Sequence, residues 1–259
     1  MIMSLVDYHV KNRVAFITLN RPEKRNALNH ELVAELKEAF DRAADDAQAK
    51  VIVLKANGEA FCAGADLEYL QKLQKFSFEE NLQDSNHLKD LFLKIYTHPK
   101  IVIAQVQGHA LAGGCGLATV CDFVASGPTA KFGYTEVKIG FIPAIVTVFL
   151  LRKLGEAKSK EMLLSGELFS AEKVLQMGLI NYVVETDKLD SHVLQLASKL
   201  VETNSAESMK LTKRMIAEIP SKSVEEALRY AAEMNAQARG SEDCKRGIAA
   251  FLNKEKLSW

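Results

Sequence analysis

Apolar residues fall along this chain in two rhythms. In the first half, short unbroken runs rich in β-branched residues stand at Val14–Leu19 (VAFITL), Val51–Ala56 (VIVLKA) and Ile101–Val106 (IVIAQV). Runs of this length and composition predict buried strands. A shorter run at 123–125 predicts a fourth. Between the first two, Asn29 precedes Leu32, Leu36 and Phe40, which recur on one helix face, so a helix capped by Asn29 is expected. Strands separated by helical patterns predict βαβ units and a largely parallel sheet.

After Pro143 the rhythm turns helical. Helices are expected over 145–154, 157–164, 171–177, 189–201, 208–219, 224–238 and 241–252, with one short strand at 180–184. The C-terminal third therefore reads as a helical layer. Residues 71–81 mix Lys, Gln and Phe without a clear period, which predicts a mobile flap over a pocket.

Composition narrows the class. At 48% hydrophobic and 25% charged residues, 259 residues suffice for a soluble globular chain with a sizeable core. Lys+Arg and Asp+Glu are both 33, and a net charge of zero removes the main electrostatic reason to expect nucleic acid. The opening MIMSLVDYHV has no basic n-region, and no stretch approaches the roughly 18 apolar residues of a membrane span. Cys62, Cys115, Cys121 and Cys244 form no C-x-x-C pair, which favours reduced thiols. A cytoplasmic chain without membrane contact is expected.

Two glycine-rich stretches carry the candidate chemistry. Gly58–Leu67 (GEAFCAGADL) and Gly108–Leu117 (GHALAGGCGL) each follow an expected strand and open a helical run. Each alone is explained by a steric need for small residues in a turn. Together they present backbone N–H groups at helix starts, which two donors of an oxyanion hole require. Glu136 lies downstream as an acid/base candidate, against its ordinary fate as a solvated loop residue.

Other readings of the same residues fail. There is no G-x-G-x-x-G, no Walker lysine loop and no G-x-S-x-G. The histidines His9, His30, His87, His98, His109 and His192 form no H-x-x-x-H or H-E-x-x-H, so no metal site is expected. His109 reads as a packing residue beside the second turn.

These segments, in this order, resemble the crotonase (enoyl-CoA hydratase/isomerase) superfamily. The resemblance covers nearly the whole chain. It runs from Asn20–Leu28 (NRPEKRNAL) through Phe61–Leu67, Gly108–Asp122, Lys131–Gly140 (KFGYTEVKIG) and Leu164–Gly166 to a closing helix at 243–254. It implies an α/β fold with a crotonase-like ββα spiral core over residues 1–195, and a C-terminal helical trimerisation layer over 196–259.

It also implies an acyl-CoA enzyme without a separate cofactor, the coenzyme A thioester being the substrate. The thioester oxygen would accept from the N–H groups of Ala65 and Gly113, and Glu136 would move the proton. Arg25, Ala27, Ala63, Asp66 and Leu67 would receive coenzyme A. Phe251 and Lys254 would reach the coenzyme A of a neighbouring subunit in a homotrimer or hexamer.

The chain departs from the family pattern at two places. Gly116 stands where many two-carboxylate hydratases carry Glu, and Ala144-Ile145-Val146-Thr147 replaces a Gly-rich run. Ile145 and Val146 would narrow the pocket or make it drier. Hydration of a 2-enoyl-CoA is the first expectation, isomerisation of a 3-enoyl-CoA by Glu136 alone the second, and a catalytically inactive coenzyme A-ester-binding or RNA-associated scaffold the third. Phe76, Phe78, Leu88, Phe92 and Phe141 are candidates for an acyl channel or for core.

Overall fold

The computed structural model describes residues 4–259; Met1–Met3, part of the segment read for a leader, lie outside the described residues. The chain opens with an antiparallel hairpin of β1 (Val6–Lys11) and β2 (Val14–Leu19). The helix capped by Asn29 follows as α1 (His30–Asp45), where the Asn29 side chain accepts from Leu32 N–H at 2.9 Å. Next come β3 (Val51–Ala56), α2 (Leu67–Leu73), α3 (Phe78–Tyr96), β4 (Ile101–Val106), β5 (Ala110–Leu111) and α4 (Gly113–Thr119). They lead to β6 (Phe123–Ser126), β7 (Lys131–Gly133), α5 (Ala144–Ser165), β8 (Phe169–Ser170), α6 (Ala171–Met177) and β9 (Tyr182–Val183). The remainder is helical: α7 (Leu189–Thr203), α8 (Ala206–Glu218), α9 (Val224–Gly240) and α10 (Glu242–Leu252).

A six-stranded sheet runs in the order β1-β2-β3-β4-β6-β9, parallel throughout except for β1. Both faces are covered, which is why β2 and β4 are buried at every position instead of alternating. One face packs against α1, α3 and α4 through Leu36, Phe40, Phe92, Leu117 and their neighbours. The other meets Leu189, Val193, Ala197 and Val201 of α7. The boundary expected at 195/196 thus falls inside a helix that lies on the sheet, and the chain leaves that layer only after Thr203.

Three departures from the sequence reading have physical reasons. β1 alternates buried and open positions at the sheet edge, and its hairpin turns through Asn12 and Arg13, both left-handed (φ 51° and 63°) without a glycine. A second sheet of β5, β7 and β8 has strands of two or three residues, too short to leave a period. The expected flap at 71–81 is the end of α2 and the start of α3, fixed by a capping box between Ser77 and Glu80. The expected division near 155 is present: α5 breaks at Gly155, which takes φ 72°, ψ 177°.

A buried ion pair joins α8 to the core. Lys213 Nζ donates to Asp122 Oδ2 at 2.7 Å and to the carbonyls of Ile95 and Lys100, each at 3.2 Å. Burial pushes the Asp122 carboxyl up, and the Lys213 charge opposes that shift. Lys213→Met keeps the aliphatic stem but removes the ion-pair partner of the Asp122 carboxylate, leaving Oδ2 only the Val102 N–H among the described residues. Thermal unfolding of this variant is expected to show a loss of about 3–5 kcal/mol.

Candidate active site

The site is assembled sideways, segment against segment. The loop before α1 lies beside the turn before α2: Ala63 N–H donates to Arg25 O (3.0 Å), Leu28 N–H to Gly64 O (2.7 Å) and Asp66 N–H to Leu28 O (2.8 Å). That turn lies beside the one before α4: Cys62 N–H donates to His109 O (3.1 Å) and Leu111 N–H to Cys62 O (3.0 Å). Gly64, left-handed at φ 92°, permits the contact, because a Cβ there would sit 2.9 Å from Ala112 Cβ and 3.0 Å from Leu111 O. The second turn in turn pairs with β7, Ala112 N–H donating to Gly133 O at 2.7 Å. Glu136 lies three residues beyond Gly133.

The two N–H groups singled out from sequence are therefore in neighbouring turns. Among the described residues, neither Ala65 N–H nor Gly113 N–H has a backbone or side-chain acceptor. Gly113 is the first residue of α4, where helix N–H groups lack intrahelical partners. The residue before it, Ala112, takes φ 48°, ψ −122°, a conformation that costs an alanine strain. The Ala112–Gly133 hydrogen bond holds it there and sets the direction of the next N–H.

Glu136 opens a short 3-10 turn over Glu136–Ile139 that Gly140 ends. Its Oε2 is buried without a hydrogen-bond partner among the described residues, and burial raises its pKa above the ordinary glutamate value. Burial also pushes the Cys115 thiol up to about 12, and the Glu136 charge adds to that shift. Cys62 and Cys121 are raised by burial as well, and all four cysteines are free thiols. A desolvated carboxylate is suited to moving a proton, and N–H groups without partners are suited to holding an oxyanion.

The expected coenzyme A residues divide into two groups. Arg25, Ala27, Ala63 and Leu67 lie on the paired loops, with Leu67 77% exposed at the start of α2. Asp66 is brought to the same place but is only 5% exposed and already engaged. Its Oδ1 accepts from Glu68 N–H (2.8 Å) and Tyr69 N–H (3.1 Å), and Oδ2 pairs with Arg21 Nη1 at 2.7 Å. Burial would raise the Asp66 carboxyl, but Arg21 and the α2 N–H groups more than offset it, and its pKa is lowered. Its side chain caps a helix and latches two loops; it is not free to meet a ligand.

Phe251 and Lys254 are not brought to the turns of their own chain. The tail after α10 returns to the start of the strands, where Trp259 N–H donates to Glu202 O (3.2 Å) and Arg13 donates to Trp259 O (2.5 Å). Ala65 and Gly113 follow the opposite ends of β3 and β4. Of the expected channel residues, Phe92 is core, while Phe78 and Phe141 are exposed. A cavity of about 760 Å³ between α5, α7 and α8, lined by Phe149, Lys153, Met209 and Lys213, also lies at the strand starts and away from Glu136.

Two organising residues escaped the sequence reading. Asn26, fully buried, donates to Asn57 O and Ala60 O (2.8 and 2.9 Å) and accepts from Arg21 N–H (2.9 Å). Arg21 also donates to Ala27 O at 3.0 Å. A short polar side chain that follows a run of charged residues gives no signal of such a role.

Comparison with known proteins decides the family. The sequence profile described as enoyl-CoA hydratase/isomerase matches residues 9–259. The chain belongs to the enoyl-CoA hydratase/isomerase family. A Thermus thermophilus family member named for enoyl-CoA hydratase is 41% identical over 244 residues, covering 94% of this chain and 96% of its own. The 2,3-dehydroadipyl-CoA hydratase of Escherichia coli is 34% identical, covering 94% of each chain. The crystal structure of an enoyl-CoA hydratase of Mycobacterium smegmatis superposes with a TM-score of 0.93 at 32% identity, covering 98% of each chain. The fold is the family's crotonase fold, with helices at its C-terminus, and the chain is an enzyme of this family. No helix among the described residues is long and apolar enough to cross a membrane.

Proposed function

We propose that this enzyme hydrates a 2-enoyl-CoA to a 3-hydroxyacyl-CoA. The observation that carries the reading is the buried, unpartnered Glu136 carboxylate on a segment hydrogen-bonded, through Gly133 and Ala112, to the turn that presents Gly113 N–H. The thioester oxygen accepts from Ala65 and Gly113 N–H, so the charge that develops as C3 is attacked is held by donors that have no other acceptor among the described residues. Such a donor is worth about 3–4 kcal/mol of barrier. Glu136 takes a proton from the water whose oxygen joins C3 and returns a proton to C2. Water is consumed and no cofactor is needed, since the thioester supplies the activation.

Coenzyme A is assigned to the edge formed by Arg25, Ala63 and Leu67, with the buried Ala27 beneath it and Asp66 holding that edge in shape. Self-association is part of the reading. α9 has no buried residue along its length, and Phe251 of α10 is 83% exposed, as expected of helices covered by another copy in a trimer or hexamer. In that arrangement Phe251 and Lys254 serve a neighbour's coenzyme A. The three buried thiols suit a reducing cytoplasmic compartment.

One observation favours a second reading. The space over Gly116 is filled with hydrocarbon, which suits an isomerase in which Glu136 alone carries a proton from C2 of a 3-enoyl-CoA to C4. A panel of 2-enoyl-CoA and 3-enoyl-CoA esters of equal chain length separates the two. Hydration is expected to convert the 2-enoyl esters to 3-hydroxyacyl esters by mass. Turnover of the 3-enoyl esters alone would replace hydration with isomerisation, and binding without turnover would leave a scaffold.

A further inference from the structure

Gly116 sits one helical turn after Gly113, on the same face of α4, and is fully enclosed. A Cβ added there would lie 2.5 Å from Val146 Cγ1 and 2.9 and 3.0 Å from Phe92 Cε2 and Cζ. Neither neighbour can yield cheaply. Val146 is β-branched, 5% exposed, and held in the first turn of α5. Phe92 is fully buried in α3, its ring edge against Phe149 at 6.4 Å between centroids. The helix carrying Val146 begins at Ala144, four residues after the Glu136 turn ends at Gly140, so one stretch of chain carries both the carboxylate and the hydrocarbon that covers Gly116. Ile145, expected to share the role, is partly buried against the core, and the atoms nearest a Cβ at 116 belong to Val146 and Phe92.

We infer that Val146, backed by Phe92, is the specificity-determining residue that sets how far Glu136 hydrates its substrate rather than shuttling a proton within it. The inference rests on the acyl-CoA reading of the site and goes beyond it. With α4 bare at Gly116 and Val146 closing over it, the acyl carbons beside the thioester meet hydrocarbon on that side. No second polar group there can hold or orient a water, so Glu136 does so unaided. Gly116 and Val146 act as a pair, and any side chain restored at 116 requires space given up at 146, where the contact is tightest, and a shift of Phe92.

The test compares Val146→Ala, Gly116→Glu and the double variant with wild type, reading melting temperature and the ratio of 2-enoyl-CoA hydration to 3-enoyl-CoA isomerisation. Gly116→Glu alone is expected to lower the melting temperature by about 5–10 °C through overpacking, and by less when Val146 is already Ala, the contact with Phe92 remaining. The hydration-to-isomerisation ratio is expected to rise by about tenfold in Val146→Ala, the usual scale for a methyl-sized change in an apolar pocket, and further in the double variant. Ratios within about twofold of wild type in both, on folded protein, overturn the inference while leaving the acyl-CoA reading intact. A wild-type enzyme that turns over neither ester overturns both. Turnover undiminished by Glu136→Gln does the same, because no carboxylate chemistry is then left for Val146 to direct.

Discussion

Glu136→Gln is expected to lower turnover of an enoyl-CoA ester by about 10²–10⁴-fold while leaving the protein folded. The amide matches the carboxylate in shape but cannot take and return a proton. Its effect on stability has the opposite sign. Because burial raises the Glu136 pKa in the folded state, the native protein holds this proton to higher pH than the unfolded chain does. Stability associated with this group is therefore complete below the ordinary glutamate value and is lost as pH rises through the raised one. Above that window the wild type carries a desolvated charge whose Oε2 has no partner, and Gln removes it. A melting temperature equal to or above wild type at neutral pH, together with lost turnover, is the expected pair. A variant that loses activity only by unfolding would show that Glu136 is structural.

Gly114→Ala is expected to lower kcat by about 10²–10³-fold, the scale for losing one oxyanion donor, although position 114 touches no substrate. A Cβ at Gly114 would lie 2.2 Å from Cys62 O, 2.8 Å from Cys62 C and 2.7 Å from Cys62 Cβ. These are mostly backbone atoms, and Cys62 O is the acceptor that ties the two glycine turns together through Leu111 N–H. The methyl group can fit only if the start of α4 moves away from the turn carrying Ala65, which separates the two donors. Gly113→Ala provides the comparison. Its Cβ meets only Leu28 Cδ1, at 2.9 Å, the end of a side chain that can rotate, so its cost to folding is smaller. Steady-state kcat and thermal melting of both variants check the ordering. Full activity in a folded Gly114→Ala enzyme would mean that the contact between the turns is not what aligns the donors.

What could be read from sequence was local. β2, β3 and β4 announce themselves because strands buried on both faces are unbroken apolar runs, and α1 because its cap and its apolar face lie within a few turns. Both glycine turns were legible for the same reason, since small residues cluster wherever backbones must approach closely. What stayed hidden depends on partners distant in the chain. β5, β7 and β8 exist through pairing alone. Asp66 looks like a ligand residue until Arg21 and the α2 N–H groups are found around it. Gly116 showed the loss of a side chain and Val146 a narrower pocket, but not that Val146 and Phe92, on two other helices, occupy the place at 116. Phe251 and Lys254 were placed by resemblance, and the fold of the tail onto Arg13 and Glu202 leaves them at the other end of their own protomer.

The central claim is that one desolvated carboxylate, working against two backbone donors, carries the proton. The pH dependence of kcat/KM for 2-enoyl-CoA hydration tests it most directly. Glu136 must be ionised to take a proton from water, so activity falls as pH drops through its folded-state pKa, which burial has raised. The expected profile has an acidic limb governed by one ionisation, centred above the ordinary glutamate value and absent from the residual activity of Glu136→Gln. An acidic limb that persists unchanged in that variant would contradict the account.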